Sequence, residues 1–283
     1  MSLPRSLARL TLSGSLLGLV GCATGVDRVP VNASAISVTG NWQFASTDTS
    51  AAKLAALSGE LTGSSAPNAT ITGIFHADSA SACVAPSTAF EVSGSATTAS
   101  LVTLTGTLAG GKITIAGTLA ADGLSLTNPT YTVTGGTCAF TSTAKATAHV
   151  YSSITGNYAG SFSDASGQVI SITATLTQTP ASDTDGNFQL SGTGTMPNNP
   201  CFPSTVSVSN STVTGGAFNL TYTDATTGNS VNAQGTFSTD GSTLTVSQWT
   251  LTGPCGPDTG TGLITKQEPT KSALRGRRPL RGV

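Results

Sequence analysis

Two parts of this chain repeat one another. Thr39-Gly40-Asn41-Trp42 opens one half and Thr155-Gly156-Asn157-Tyr158 opens the other. Further on, Gly117-Thr118-Leu119-Ala120-Ala121-Asp122-Gly123 is matched by Gly235-Thr236-Phe237-Ser238-Thr239-Asp240-Gly241. After each comes an aromatic residue (Tyr131, Trp249), then Gly135 or Gly253, then Cys138 or Cys255. Four markers in one order at nearly equal spacing indicate a tandem duplication. The fold must therefore be one that a unit of about 110 residues can complete twice.

The period inside each unit decides the class. Ile170, Ile172, Ala174 and Leu176 occupy alternate positions, as do Phe218, Leu220 and Tyr222, and Val231, Ala233, Gly235 and Phe237. In the first half Ile113, Ile115, Gly117 and Leu119 do the same. This is the period of a strand with one buried face. Turn pairs separate the strands: Gly110-Gly111, Asp122-Gly123, Gly135-Gly136, Asp185-Gly186, Gly215-Gly216 and Asp240-Gly241. Only Ser50 to Leu57 holds a short run of helix-forming residues. The spacing predicts all-β antiparallel meanders. In the second half the strands are expected at 156–164, 168–178, 187–196, 204–209, 212–223, 230–238, 242–252 and 259–266. Eight such strands can close into a small barrel and remove the exposed edges. A two-sheet sandwich per repeat and one sheet shared by both halves are the alternatives. Charged residues make up only 9% of the chain, against about 25% in an average soluble domain. Ser and Thr take their place on the wet faces.

The first residues carry an address. Arg5 and Arg9 form a positive segment, and Leu10 to Val20 is an apolar stretch of eleven residues. That is too short to cross a hydrocarbon core of roughly 30 Å as a helix, so residues 1–21 read as a signal peptide. Leu19-Val20-Gly21-Cys22 resembles the lipobox of bacterial prolipoproteins. The resemblance implies cleavage before Cys22, a thioether-linked diacylglycerol on its sulfur and usually acylation of its new amino terminus. Two or more acyl chains hold a protein stably on a membrane, where one does not. Ala23, in place of an aspartate, resembles the pattern of lipoproteins passed to the outer membrane of Gram-negative cells. The expected organisation is a lipidated linker over 22–38, repeats over 39–150 and 155–266, and a tail over 267–283. The Gly40-Asn41-Trp42 and Gly156-Asn157-Tyr158 openings also resemble the Gly-x-Trp that begins lipocalin and avidin barrels.

With Cys22 set aside, Cys83, Cys138, Cys201 and Cys255 allow three pairings. The separations of 55 and 54 residues make Cys83–Cys138 and Cys201–Cys255 the simplest, if each repeat is one folding unit. An exported protein can form such bonds. A zinc site is disfavoured because no two of these cysteines lie close in sequence, and His76 and His149 lack repeat partners.

Charge is distributed unevenly. Between Pro30 and Thr265 there are eleven acidic and three basic residues, whereas Lys266 to Val283 holds six basic residues and one acidic. An acidic body argues against nucleic-acid binding. The tail, with Arg275, Arg277, Arg278 and Arg281, is expected to be disordered and could meet an anionic envelope polymer or lipid.

Candidate sites are sparse. Trp42 and Tyr158 fall at equivalent positions on first strands, and Tyr131 and Trp249 at equivalent later ones. Each reads as a ring lining a ligand cavity or, more simply, as a core plug. Serine is too abundant here for a Ser-His-Asp grouping to be informative, and no Gly-x-Ser-x-Gly elbow fixes a nucleophile. Asp183-x-Asp185-Gly186 resembles part of a calcium loop but lacks its further ligands, so a hairpin turn is expected. Pro197-Asn198-Asn199-Pro200-Cys201-Phe202-Pro203 is a stiff loop at a predicted barrel mouth, where binding often resides. Its counterpart, Ala77 to Pro86, shares the cysteine and little else. The expectation is a lipid-anchored envelope protein with a structural or binding role, without catalytic residues, metal or cofactor. A carrier of a small apolar ligand is the alternative, and a hydrolase the second alternative.

Overall fold

The computed structural model describes residues 35–47, 56–66, 69–78, 88–97, 100–139, 144–203 and 205–268. The proposed lipidation site Cys22, the signal segment, Cys83, most of the Ala77–Pro86 loop and the four tail arginines lie outside them, as do residues 50–55 of the helix-forming run.

Sixteen strands form two closed antiparallel barrels of eight strands each. The first holds β1 (Gly40–Ser46), β2 (Leu57–Thr62), β3 (Thr70–Ala77), β4 (Ala89–Ala96), β5 (Leu101–Leu108), β6 (Gly111–Leu119), β7 (Leu126–Thr134) and β8 (Ala144–Tyr151). The second holds β9 (Gly156–Asp164), β10 (Val169–Gln178), β11 (Phe188–Thr195), β12 (Val206–Thr214), β13 (Ala217–Thr223), β14 (Ser230–Phe237), β15 (Thr243–Thr252) and β16 (Asp258–Lys266). Each strand pairs with the next, and each barrel closes by pairing its first strand with its last: β1 with β8, and β9 with β16. The barrel is thus the outcome, and neither a sandwich nor a shared sheet forms.

Five of the six turn pairs fall between strands, and in the sixth, Gly110-Gly111, the second glycine opens β6. The duplicated Asp-Gly turns use one device. Asp122 Oδ1 accepts the Leu124 N–H at 2.9 Å, and Asp240 Oδ1 accepts the Ser242 N–H at 2.9 Å. The following glycines, at φ 74° and 70°, supply the left-handed residue. One strand assignment needs correction. The polar run around Asn210 suggested a break between 209 and 212, but β12 runs through it to Thr214 and turns at Gly215-Gly216. Asn210, at φ 49°, sits in a bulge that shifts the β12–β13 register between Val208 and Thr212. A bulge tolerates polar residues without ending a strand, so composition alone mimicked a turn.

Eight strands leave an interior just wide enough for side chains, and each barrel fills its own. In the first, Trp42 stacks on Phe44 with centroids 5.7 Å apart, and Phe44 packs on Phe75 at 5.4 Å. In the second, Phe162 stacks on Trp249 at 5.9 Å. Val38, within the stretch assigned to the linker, is buried against the first core, and its carbonyl accepts the Trp42 indole N–H at 2.7 Å. Small barrels must bend sharply at their corners, and glycine permits it. A Cβ on Gly94 would run into the Thr103 carbonyl across the β4–β5 ladder.

The barrels also dock on one another. The Asn41 side chain clasps the Gly215 peptide in the β12–β13 turn: its Nδ2 donates to the Gly215 carbonyl at 2.9 Å, and its Oδ1 accepts the Gly215 N–H at 2.7 Å. Glu60 Oε2 accepts the Ser182 N–H at 2.7 Å. Tyr151, at the end of β8, packs edge-on against Phe237 at 5.3 Å. Ile154, in the connection, is fully buried in the second core.

Candidate functional site

Two places gather chemistry: the junction between the barrels and the mouth of the second barrel. The junction forms because β1, β2 and β3 turn polar residues outward and the second barrel covers them. Ser58 and His76 pair across β2–β3 and are both buried. Ser58 Oγ donates to Asp78 Oδ2 at 2.8 Å, and Gln43 Nε2 donates to the same oxygen at 2.7 Å. Gln43 Oε1 in turn accepts the Tyr151 hydroxyl at 3.1 Å. His76 Nε2 lies 4.0 Å from Asp78 Oδ1. Its Nδ1 is 2.8 Å from the Asp185 carbonyl of the second barrel, so that nitrogen carries the proton. Burial raises the Asp78 carboxyl above the ordinary range, against the lowering effect of its Ser58 and Gln43 hydrogen bonds and the neighbouring His76.

The junction does place a serine, a histidine and an aspartate together. Their roles do not match nucleophilic catalysis. The Ser58 hydroxyl gives its proton to the carboxylate rather than to the imidazole, and Ser58 has no exposed surface. A nucleophile needs the imidazole as its base and open access for substrate. The cluster instead satisfies polar groups that docking removes from water.

The mouth of the second barrel is built from four top turns. β9 rises to Asp164 and β10 leaves from Val169; β11 rises to Thr195 and β12 leaves from Val206; β13 rises to Thr223 and β14 leaves from Ser230; β15 rises to Thr252 and β16 leaves from Asp258. A disulfide joins Cys201 to Cys255 across two of these turns, with Cα atoms 5.9 Å apart, as the repeat spacing implied. A third turn locks it. Asn229 Nδ2 donates to the Cys201 carbonyl at 2.8 Å, and its Oδ1 accepts the Cys255 N–H at 3.0 Å. Thr227 Oγ1 donates to the same Cys201 carbonyl at 3.1 Å. Asp224 holds the turn that presents them, accepting the Thr226 N–H at 2.7 Å. The sequence reading missed Asn229 and Asp224. The signal available was the Asp224-Ala225-Thr226-Thr227-Gly228-Asn229 run, a turn composition with more polar residues than a turn alone requires.

Beneath this roof lies a cavity of about 240 Å³. Phe162 and Trp249 wall it, with Ile170, Met196, Phe202 and Leu251, while Asp164 and Asp258 stand among its polar residues. The 197–203 loop also faces outward on a second, wider depression of about 700 Å³. On the outer wall of the first barrel is an open hollow of about 1060 Å³, lined by Glu60, Glu91, Lys112 and several threonines.

The four singled-out aromatics separate by this geometry. Trp42, Tyr158, Tyr131 and Trp249 are each 1% exposed. Tyr158 lies toward the end opposite the mouth; its hydroxyl donates to the Gly241 carbonyl at 2.7 Å, and burial with the nearby Asp240 pushes its phenol up to about 12. Burial raises the Tyr131 phenol as well. Trp249 alone of the four lines the mouth cavity, with its indole N–H donating to the Thr261 carbonyl at 3.2 Å. His149 pairs with Gln43 across β1–β8, remote from the cavity lining. Asp183 is a turn cap: its Oδ1 accepts the N–H groups of Asp185 and Asn187, both at 2.9 Å, and its Oδ2 accepts from Gln189. Cys138 is disulfide-bonded, and Cys83, its expected partner, lies outside the described residues.

No protein-family model matches the chain, and it matches no curated protein sequence.

Proposed function

We propose that this is a lipid-anchored protein of the bacterial cell envelope, in which two β-barrels serve a non-enzymatic structural or binding role. The observation that carries this is the stapled mouth. Cys201–Cys255 closes within one repeat, and Cys138 is likewise bonded. Such bonds persist in oxidising compartments outside the cytosol. That is where a segment resembling a lipobox at Leu19 to Cys22 would send the chain.

The barrel walls support display on a membrane over insertion into one. Inward positions of β10, such as Ile172, Ala174 and Leu176, are buried, while Ser171, Thr173, Thr175 and Thr177 face out. A membrane-spanning barrel alternates the other way, apolar outside. Conversion of Cys22 to Ser tests the anchor. The parent protein should partition into detergent and carry an acyl mass on its N-terminal residue, and the variant should do neither. An N-terminus free of acyl mass in the parent protein would refute the reading.

A carrier role is the second reading, and the mouth cavity is the observation in its favour. The barrel centres are filled by stacked rings, so a ligand would sit at the mouth rather than deep inside.

A further inference from the structure

We propose that the mouth of the second barrel binds a compact organic cation, one apolar ring or its equivalent carrying an ammonium group. This rests on the binding half of the reading above and is independent of the lipid anchor.

Size sets the first limit. An apolar cavity of ~150 Å³ can hold benzene, so about 240 Å³ has room for one ring and a short substituent. The walls set the second. Phe162 and Trp249 stack at 5.9 Å in the cavity wall, and Ile170, Met196, Phe202 and Leu251 complete an apolar lining. The roof is rigid, because the Cys201–Cys255 bond and Asn229 tie the turns together. A preformed site loses little entropy on binding.

Charge chooses among ligands of that size. From residue 150 to residue 265 the chain has no Lys, Arg or His, and six aspartates. A cleft lined by one sign of charge attracts the opposite ion and repels its own. Two of those aspartates, Asp164 and Asp258, lie at the cavity. Asp164 Oδ1 accepts the Ser166 hydroxyl and the Gln168 N–H, both at 2.7 Å. Its carboxyl is held below the usual range, by the Ser166 hydroxyl first and the backbone N–H groups of its turn, so it is ionised at neutral pH. An ammonium group placed at these carboxylates, with its ring against the apolar lining, gains from both charge and burial. A carboxylate ligand of the same shape meets only repulsion.

Saturation-transfer NMR titration of the full-length protein in detergent, with benzylamine, benzyl alcohol and benzoate as probes, tests this. Benzylamine should bind about tenfold more tightly than benzyl alcohol, and benzoate should show no saturable binding. In D164N/D258N, benzylamine affinity should fall to that of benzyl alcohol, with the alcohol unchanged; its unchanged binding shows the mouth still folded. Trp249→Leu should weaken both. Equal binding of the three probes, benzylamine binding indifferent to D164N/D258N, or no saturable binding by any probe would each overturn the proposal. An unlipidated protein that still prefers benzylamine would refute the anchor and leave this site standing.

Discussion

Replacing Asn41 with alanine should destabilise the protein far more than replacing Asn157, its counterpart in the repeat. Asn41 is buried and makes two hydrogen bonds to one peptide of the β12–β13 turn, at 2.9 and 2.7 Å. Gly215 is itself buried, so truncation strands its N–H and its carbonyl away from water. Each stranded group costs about 1–3 kcal/mol, and about 2–4 kcal/mol together is a fair expectation if the site relaxes in part. For chains of this size, 1 kcal/mol moves the melting temperature by roughly 2–4 °C. Asn41→Ala should therefore lower the calorimetric melting temperature by about 5–15 °C. Asn157 is exposed, and its side chain only accepts the Thr175 hydroxyl at 2.8 Å. Its alanine variant should stay within about 0.5 kcal/mol of the parent, as surface changes usually do. Equal shifts for the two variants would refute the claim that the duplicated asparagine works as a clasp in one copy only.

Asp78→Asn tests the junction by pH. Because burial raises the carboxyl of Asp78 in the fold, the fold holds its proton more tightly than the unfolded chain does. That stability is full below the ordinary value of about 3.9 and is lost as pH rises through the raised one. The melting temperature of the parent minus that of Asp78→Asn should therefore fall as pH rises from about 4, and a constant or growing difference would refute it. Converting Cys201 and Cys255 to serine opens a 54-residue separation and should cost about 4 kcal/mol by denaturant unfolding; a loss below about 1 kcal/mol would refute the chain-entropy account. Tyr222→Phe should be neutral or stabilise by about 1 kcal/mol, because the buried Tyr222 hydroxyl has no hydrogen-bond partner among the described residues; a loss on chemical denaturation would reveal a partner. Gly94→Ala should destabilise, since its Cβ would strike the Thr103 carbonyl, whereas Gly135 has no described atom within 4 Å of an added Cβ. Gly135→Ala should show only the strain of φ 74°, about 1 kcal/mol.

The barrels were legible because they are written locally. Alternation over Ile170 to Leu176 states which face is inside, and the Asp-Gly pairs at 122–123 and 240–241 state where the chain reverses. Eight strands and the need to hide edges favoured closure over a sandwich or a shared sheet without deciding it. The bulge at Asn210 was not legible, since a polar residue at positive φ inside a strand looks like a turn until its partners across the ladder are known. The junction was less legible still. Ser58, His76 and Asp78 are polar residues on outward positions; with the second barrel docked, Ser58 and His76 are buried and Asp78 is partly buried. The disulfide was foreseen from repeat spacing, but not that Asn229 bridges both half-cystines. That contact joins residues 28 and 26 apart in sequence and depends on the roof having formed.

An even number of strands brings both chain ends of a barrel to the same end. In the second barrel, Gly156 and Lys266 lie on that side, and so do the turns bearing Ser182, Asp185, Gly215 and Gly216. Those turns make the contacts to the first barrel. The disulfide, Asn229 and the cavity all belong to the opposite set of turns. Docking and opening are therefore separated by topology: one end of the second barrel meets a side wall of the first, and the other end carries no strand terminus of the barrel and, among the described residues, no hydrogen bond to the first barrel. The same geometry explains why the duplicated asparagine diverged. Asn41 stands on the wall that receives a neighbour, whereas Asn157 stands on a wall exposed to water. Substitutions at the mouth should consequently leave the docking clasp intact, and loss of the clasp should leave the mouth intact, because the bonds that Thr227 and Asn229 make to Cys201 and Cys255 lie wholly within the second barrel.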